Sequence, residues 1–87
     1  MVSVLYFTAT WCGPCKMFSP IVEEVCSAMN IPLQKIDAEQ NQQLTAQYEV
    51  RSVPSLFIQA NGRIVYSSKG VLPKTKLIDE LQKATQL

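Results

Sequence analysis

Along its first eight residues the chain is almost continuously apolar: Val2-Ser3-Val4-Leu5-Tyr6-Phe7-Thr8 is rich in β-branched and aromatic side chains. That pattern predicts a strand covered on both faces, and hence a central one. From Cys12 to Met29 the period changes, with Phe18, Val22, Val25 and Met29, joined by Ile21, recurring at three and four residues. A helix with one apolar stripe follows. Pro20 lies inside it and removes a backbone donor, yet the stripe continues on both sides, so one bent helix is expected. Pro32–Asp37 predicts a short strand around Leu33 and Ile36, and Gln40–Tyr48 a second helix, with Leu44 and Tyr48 four apart. Beyond Pro54, Leu56-Phe57-Ile58 and Ile64-Val65-Tyr66 flank Asn61-Gly62. That dipeptide tolerates positive φ, which predicts an antiparallel hairpin. After Pro73, a residue suited to a first helical turn, Leu77, Ile78, Leu81 and Ala84 form the inner face of a last helix. The order is β-α-β-α-β-β-α, without repeat, low-complexity tract or linker, so residues 1–87 are expected to form a single domain.

Composition narrows what such a domain can do. A chain of 87 residues with 47% hydrophobic side chains buries only about 60 to 65% of the surface its unfolded form exposes, so its core is sufficient but small. Eight Lys and Arg against seven Asp and Glu, a net charge of +1 without runs of one sign, provide no long-range field to gather nucleic acid or an anionic membrane. No apolar stretch approaches the roughly 20 residues that span a bilayer. Nor does the start carry a basic segment, apolar core and small-residue cleavage site, so secretion is not expected. The absence of histidine removes the commonest metal ligand and any Ser/His or Cys/His pair. Three cysteines are odd in number and too few for a disulfide scaffold, which favours an intracellular setting where a cysteine pair is reactive or binds metal.

Cys12-Gly13-Pro14-Cys15 stands where the first strand hands over to the long helix, the context in which a C-x-x-C pair signals redox chemistry. With Cys12 capping the helix and Cys15 one turn in, their Cα atoms fall within the roughly 4.4 to 6.8 Å that a disulfide needs. The unpaired N–H groups of the helix start, with Lys16 nearby, would stabilise a Cys12 thiolate and lower its pKa from about 8.5 into the range of about 3.5 to 7.5. Cys12 is then the nucleophile. Pro14 fits the first turn because the donor it lacks has no partner there. Tetrahedral zinc wants four ligands, and beyond the pair only Cys26 is available, so no metal is expected. Cys26 adjoins the apolar stripe and reads as a small core residue, with a regulatory thiol as the alternative should it be accessible.

Trp11-Cys12-Gly13-Pro14-Cys15-Lys16, Pro20 in the following helix, Val53-Pro54 before a strand and Gly70 after the hairpin resemble the thioredoxin family, in register over residues 2 to 86. The resemblance implies an α/β protein with the minimal thioredoxin-like fold: a mixed four-stranded sheet with helices on both faces, parallel between its first two strands and antiparallel at the hairpin. It implies a cytoplasmic protein-disulfide reductase, itself reduced by a thioredoxin reductase, that binds no cofactor and draws on NADPH only through that reductase. By position Cys12 resembles the attacking thiolate and Cys15 the resolving thiol. Trp11, Gly13, Pro14, Val53, Pro54 and Gly70 resemble the substrate-binding surface, with a cis bond implied at Val53-Pro54. Trp11 alone could be a core aromatic, but beside a reactive cysteine its stiff ring is better read as a surface for partners. A cis Pro54 would expose the Val53 backbone to pair with an extended peptide. Gly70 either relieves crowding or lets that peptide approach.

Three positions depart from the family pattern. The family usually begins with an additional strand and helix, whereas this sequence starts at the second strand; the strand around Leu33 to Ile36 is then expected at an open edge, giving a less stable monomer or a weak edge-strand dimer. Six residues before Cys12 the family commonly places a buried aspartate, and here stands Tyr6, a poor base at neutral pH although its hydroxyl can still hydrogen-bond. Lys35 matches the lysine that assists that aspartate and is left without its customary partner, so Cys15 is expected to be activated by water or by Cys12. Lys69 precedes Gly70 where the family tends to be apolar, and either favours acidic partners or is simply solvated. Two rival functions remain open: a glutathione-dependent, glutaredoxin-like reductase, and a non-catalytic accessory subunit using the same docking surface.

Overall fold

A computed structural model covers residues 1–87. Its elements run β1 (Val2–Thr8), α1 (Gly13–Ala28), β2 (Leu33–Asp37), α2 (Gln42–Gln47), β3 (Ser55–Ala60), β4 (Arg63–Lys69) and α3 (Lys74–Thr85). The strands form one sheet in the order β2-β1-β3-β4. β1 is internal, as its unbroken apolar run requires: it pairs in parallel with β2, Val4 opposite Leu33, and antiparallel with β3, Val4 opposite Ile58. β3 and β4 form the hairpin, with Ala60 opposite Arg63 across Asn61 and Gly62. Both turn residues have positive φ, 55° and 82°, the two-residue turn whose twist matches that of the strands. One feature the sequence pattern did not predict is a register shift between Ile58 and Gln59, which leaves Val65 as the extra residue of β4.

The period-two alternation of β1 distributes its side chains to two cores. Val4 and Tyr6 join Phe18, Val22, Val25 and Cys26 of α1 and Leu77, Leu81 and Ala84 of α3 on one face. Leu5 and Phe7 join Ile36 on the other, where Leu44, Tyr48 and Phe57 partly cover them. Helices therefore lie on both faces, as expected. α1 continues through Pro20 as one helix and ends on Asn30, whose φ of 56° lets Ile31 N–H reach Cys26 O at 2.9 Å and Asn30 N–H reach Ser27 O at 3.2 Å. This pairing closes the helix end and turns Ile31 into the core.

Two boundaries differ from expectation for local reasons. α2 starts at Gln42 rather than Gln40 because Asp37 Oδ1 accepts the N–H groups of Glu39 and Gln40, a turn that competes with helix. Pro73 caps α3 from outside its first turn, with ψ of 143° and its carbonyl accepting Leu77 N–H.

Cys26 is a core residue, 2% exposed, which removes the condition for a regulatory thiol. It lies eleven residues beyond Cys15 on α1, about 16 Å along the helix axis. Burial pushes its thiol pKa from 9.0 up to about 11. The unfolded chain gives up this proton near pH 9 while the folded chain keeps it, so stability is intact below pH 9 and falls as pH rises towards 11, by about 2 kcal/mol. Urea unfolding followed from pH 8 to 11 reads this slope, and Cys26→Ala is expected to flatten its lower part even though it lowers the absolute stability.

Candidate active site

At the end of β1 the chain turns through Ala9-Thr10-Trp11 into α1, with Cys12 N–H donating to Ala9 O at 3.2 Å. Cys12 is the N-cap of the helix: its φ and ψ of −81° and 110° are extended, and its sulfur accepts the N–H of Cys15 at 3.2 Å. Pro14 occupies the first turn, which contains no acidic residue, so the positive end of the helix dipole acts on Cys12 without a competing side-chain charge. Cys12 and Cys15 are joined as a disulfide with Cα atoms 5.3 Å apart. Both cysteines are buried, 3% and 2% exposed, against Ala9 and the partly buried Val53.

Residues distant in sequence meet at this point. The Val53-Pro54 peptide is cis, as the resemblance implied. Val53 lies outside any strand, and neither its N–H nor its C=O takes a backbone partner within the chain. Gly70 N–H donates to Pro54 O at 2.7 Å, which ties the end of the hairpin to the loop that faces the cysteines. Gly70 has φ of 91° while a Cβ built on it would meet nothing within 4 Å. Its requirement is therefore conformational, and the crowding explanation is corrected. Gly70→Ala is expected to cost about 1 to 2 kcal/mol through the left-handed backbone alone, measurable as a lower urea midpoint; an unchanged midpoint would show that the loop simply adopts another conformation. Gly13 also faces open space. Trp11 is 68% exposed, so the core-aromatic alternative is excluded. Lys16 and Lys69 are exposed as well.

Beneath the pair, Tyr6 is completely buried, and its hydroxyl and Ser19 Oγ are 3.0 Å apart. Burial raises its pKa, an effect partly opposed by its hydrogen bond with Ser19, so the phenol keeps its proton throughout the neutral range. With Tyr6 in place of its customary aspartate partner, Lys35 instead pairs with Glu23: its Nζ lies 3.3 Å from Glu23 Oε1, with both side chains half exposed. Such a pair contributes little stability. Sequence reasoning did not single out Ser19 or Glu23, although Cys15, Ser19 and Glu23 recur every four residues along one face of α1. These three, with Thr8, Lys35 and Asp37, line a solvent-connected cavity of about 550 Å³. Nowhere do three or more His, Cys, Asp or Glu side chains gather closely enough to hold a metal ion, and no helix is long and apolar enough to cross a membrane.

Comparison with known proteins gives a consistent answer. The family model described as Thioredoxin matches residues 1–83. The chain is 42% identical over 76 residues to a thioredoxin of Haemophilus influenzae, covering 85% of this chain and 71% of the relative. It is 40% identical over 79 residues to a thioredoxin of Bacillus subtilis, covering 88% and 76%. Among solved structures, a point mutant of the Halobacterium salinarum thioredoxin superposes with a TM-score of 0.92 at 37% identity, over 99% of this chain and 76% of the other. A dithiol pair closed at a helix start, in this fold and among these relatives, identifies the chain as a member of the thioredoxin family of thiol-disulfide oxidoreductases.

Proposed function

We propose that this protein reduces disulfide bonds in other proteins, with Cys12 as attacking and Cys15 as resolving sulfur. The observation that carries the reading is the N-cap position of Cys12, where the Cys15 N–H already points at its sulfur and would stabilise the thiolate. In the reduced protein the Cys12 thiolate attacks one substrate sulfur, and the other leaves as a thiolate that takes a proton from water. Cys15 then loses its proton and attacks Cys12; the bond between Cys12 and the substrate breaks, releasing the second thiolate. The Cys12–Cys15 disulfide that remains holds the two oxidising equivalents. Exposed Trp11 offers the substrate a rigid apolar surface, Gly13 and Pro14 keep the approach low, and Val53 beside Pro54 presents an unpaired backbone N–H and C=O to an extended peptide. Gly70 supports Pro54, and Lys69 next to it favours acidic segments. Lys16 adds positive charge near the helix start. Lys35 and Tyr6 act from beneath.

In this reading the chain binds no cofactor, NADPH electrons arrive through a thioredoxin reductase, and the working compartment is the cytoplasm. The Lys35 side chain on edge strand β2 discourages strand pairing, which favours a monomer or at most a weak dimer; sedimentation at rising concentration reads this. Reduction of insulin disulfides tests the main claim. Turnover with NADPH and a thioredoxin reductase is the expected result, whereas turnover with glutathione alone would assign a glutaredoxin-like role. Absence of turnover with either, together with undiminished partner activation by a Cys12→Ser/Cys15→Ser variant, would make the chain an accessory subunit.

A further inference from the structure

Only one hydrogen bond joins two buried side chains in this protein, and it runs beneath the reactive pair: Tyr6 and Ser19, 3.0 Å apart. Ser19 stands four residues after Cys15 on α1, so the two side chains leave the same helix face one turn apart. Both line the 550 Å³ cavity, whose titratable groups are Lys16 and Glu23 from α1 and Lys35 and Asp37 from β2. Cys15 needs help there. At 2% exposure its thiolate is poorly hydrated and costly to form, while the N–H at the helix start is spent on Cys12. A serine hydroxyl has one hydrogen to give and two lone pairs to receive with. Either hydroxyl can donate across this bond; with the phenol as donor, one serine lone pair is filled and the serine hydrogen is free to turn towards the cavity and Cys15.

We propose that Tyr6 and Ser19 are positioning residues for the resolving step: Tyr6 donates to Ser19 Oγ, and the Ser19 hydroxyl, thereby oriented towards Cys15 directly or through one water, stabilises the Cys15 thiolate while its proton leaves through the cavity to solvent. The step balances. The Cys15 S–H bond breaks with the proton going to water, the Cys15 thiolate forms a bond to Cys12 Sγ, and the bond between Cys12 and the substrate breaks, its electron pair leaving on the substrate sulfur. The proposal rests on Cys12 being the attacking and Cys15 the resolving sulfur.

The test uses the reduced full chain and an aromatic disulfide whose thiolate product is coloured. The first equivalent of colour reads attack by Cys12, and the second reads displacement by Cys15. Ser19→Ala is expected to slow the second release about tenfold at pH 7 and to move the midpoint of its pH profile up by about one unit, with the first release unchanged. Tyr6→Phe, which preserves the ring and so the packing, is expected to slow the second release several-fold in the same direction without abolishing it. Ser19→Thr retains a hydroxyl and restores the midpoint. Urea midpoints establish that each variant is folded, and Tyr6→Phe gives the same readout should Ser19→Ala not fold. An unmoved midpoint in Ser19→Ala and Tyr6→Phe, or equal slowing of both releases, would overturn the proposal. So would a midpoint that follows Glu23→Gln instead, which would assign the role to a carboxylate. A Cys12→Ser variant that still gives the first release at full rate would instead overturn the order of the two cysteines.

Discussion

Cys15→Ser is expected to turn this protein from a catalyst into a trap. With the second thiol replaced, Cys12 still attacks a substrate disulfide from its place at the start of α1, but nothing within the chain displaces the product, and the mixed disulfide persists. Turnover falls by at least roughly a thousandfold, the order of loss that follows removal of a covalent nucleophile, while a single equivalent of substrate becomes covalently bound. Cys12→Ser loses turnover to the same extent without trapping anything, because the sulfur at the helix start, the one that receives the Cys15 N–H, is gone and Cys15 lies one turn further into α1. Non-reducing electrophoresis and intact mass on the two variants separate these outcomes. Trapping by Cys12→Ser and not by Cys15→Ser would reverse the assignment.

Phe18→Ala is expected to cost about 3 to 5 kcal/mol. Phe18 is completely buried, its ring meets Tyr6 edge-on with centroids 5.8 Å apart, and it joins α1 to both β1 and α3 in the main core. A chain of 87 residues has a total stability of about 4 to 13 kcal/mol, so this substitution removes a large share and leaves the variant partly unfolded under mild denaturant. The neighbouring Met17→Ala is the control: that side chain is exposed, and its loss is expected to change stability by less than about 0.5 kcal/mol. Urea midpoints of the two, compared with the unsubstituted chain, decide the matter; a cost below about 1 kcal/mol for Phe18→Ala would mean that α1 is held by other contacts than those described.

Much of this architecture was legible because each element carries its own period and punctuation. The apolar run of β1, the three-and-four spacing of α1 and the Asn61-Gly62 turn are local signals, and local signals survive into the fold. The Cys12-to-Cys15 spacing was readable for the same reason, since a helix start sets the distance without help from the rest of the chain. What escaped depends on a local side-chain turn in one place and on contacts between distant residues in the others. Asp37 delays α2 by turning its side chain onto the following N–H groups, and the extra residue in β4 appears only once β3 is its neighbour. Ser19 reads in sequence as an ordinary polar helix residue; stacking of α1 on β1 is what brings it to Tyr6. Lys35 finds Glu23 because α1 and β2 flank the same cavity, a proximity no spacing rule contains. The resemblance led to the correct cis bond at Val53-Pro54, but the reason for glycine at position 70 became visible only from its backbone angle.

Equilibration of the Cys12/Cys15 pair against dithiol and glutathione buffers of known potential, with the fraction oxidised read by mass after thiol labelling, tests the central claim most directly. The account predicts one reversible two-electron transition confined to these two cysteines, with Cys26 reduced throughout, in the strongly reducing range of thioredoxins, about −270 mV. A pair that does not cycle, or one more oxidising than about −200 mV, would contradict it.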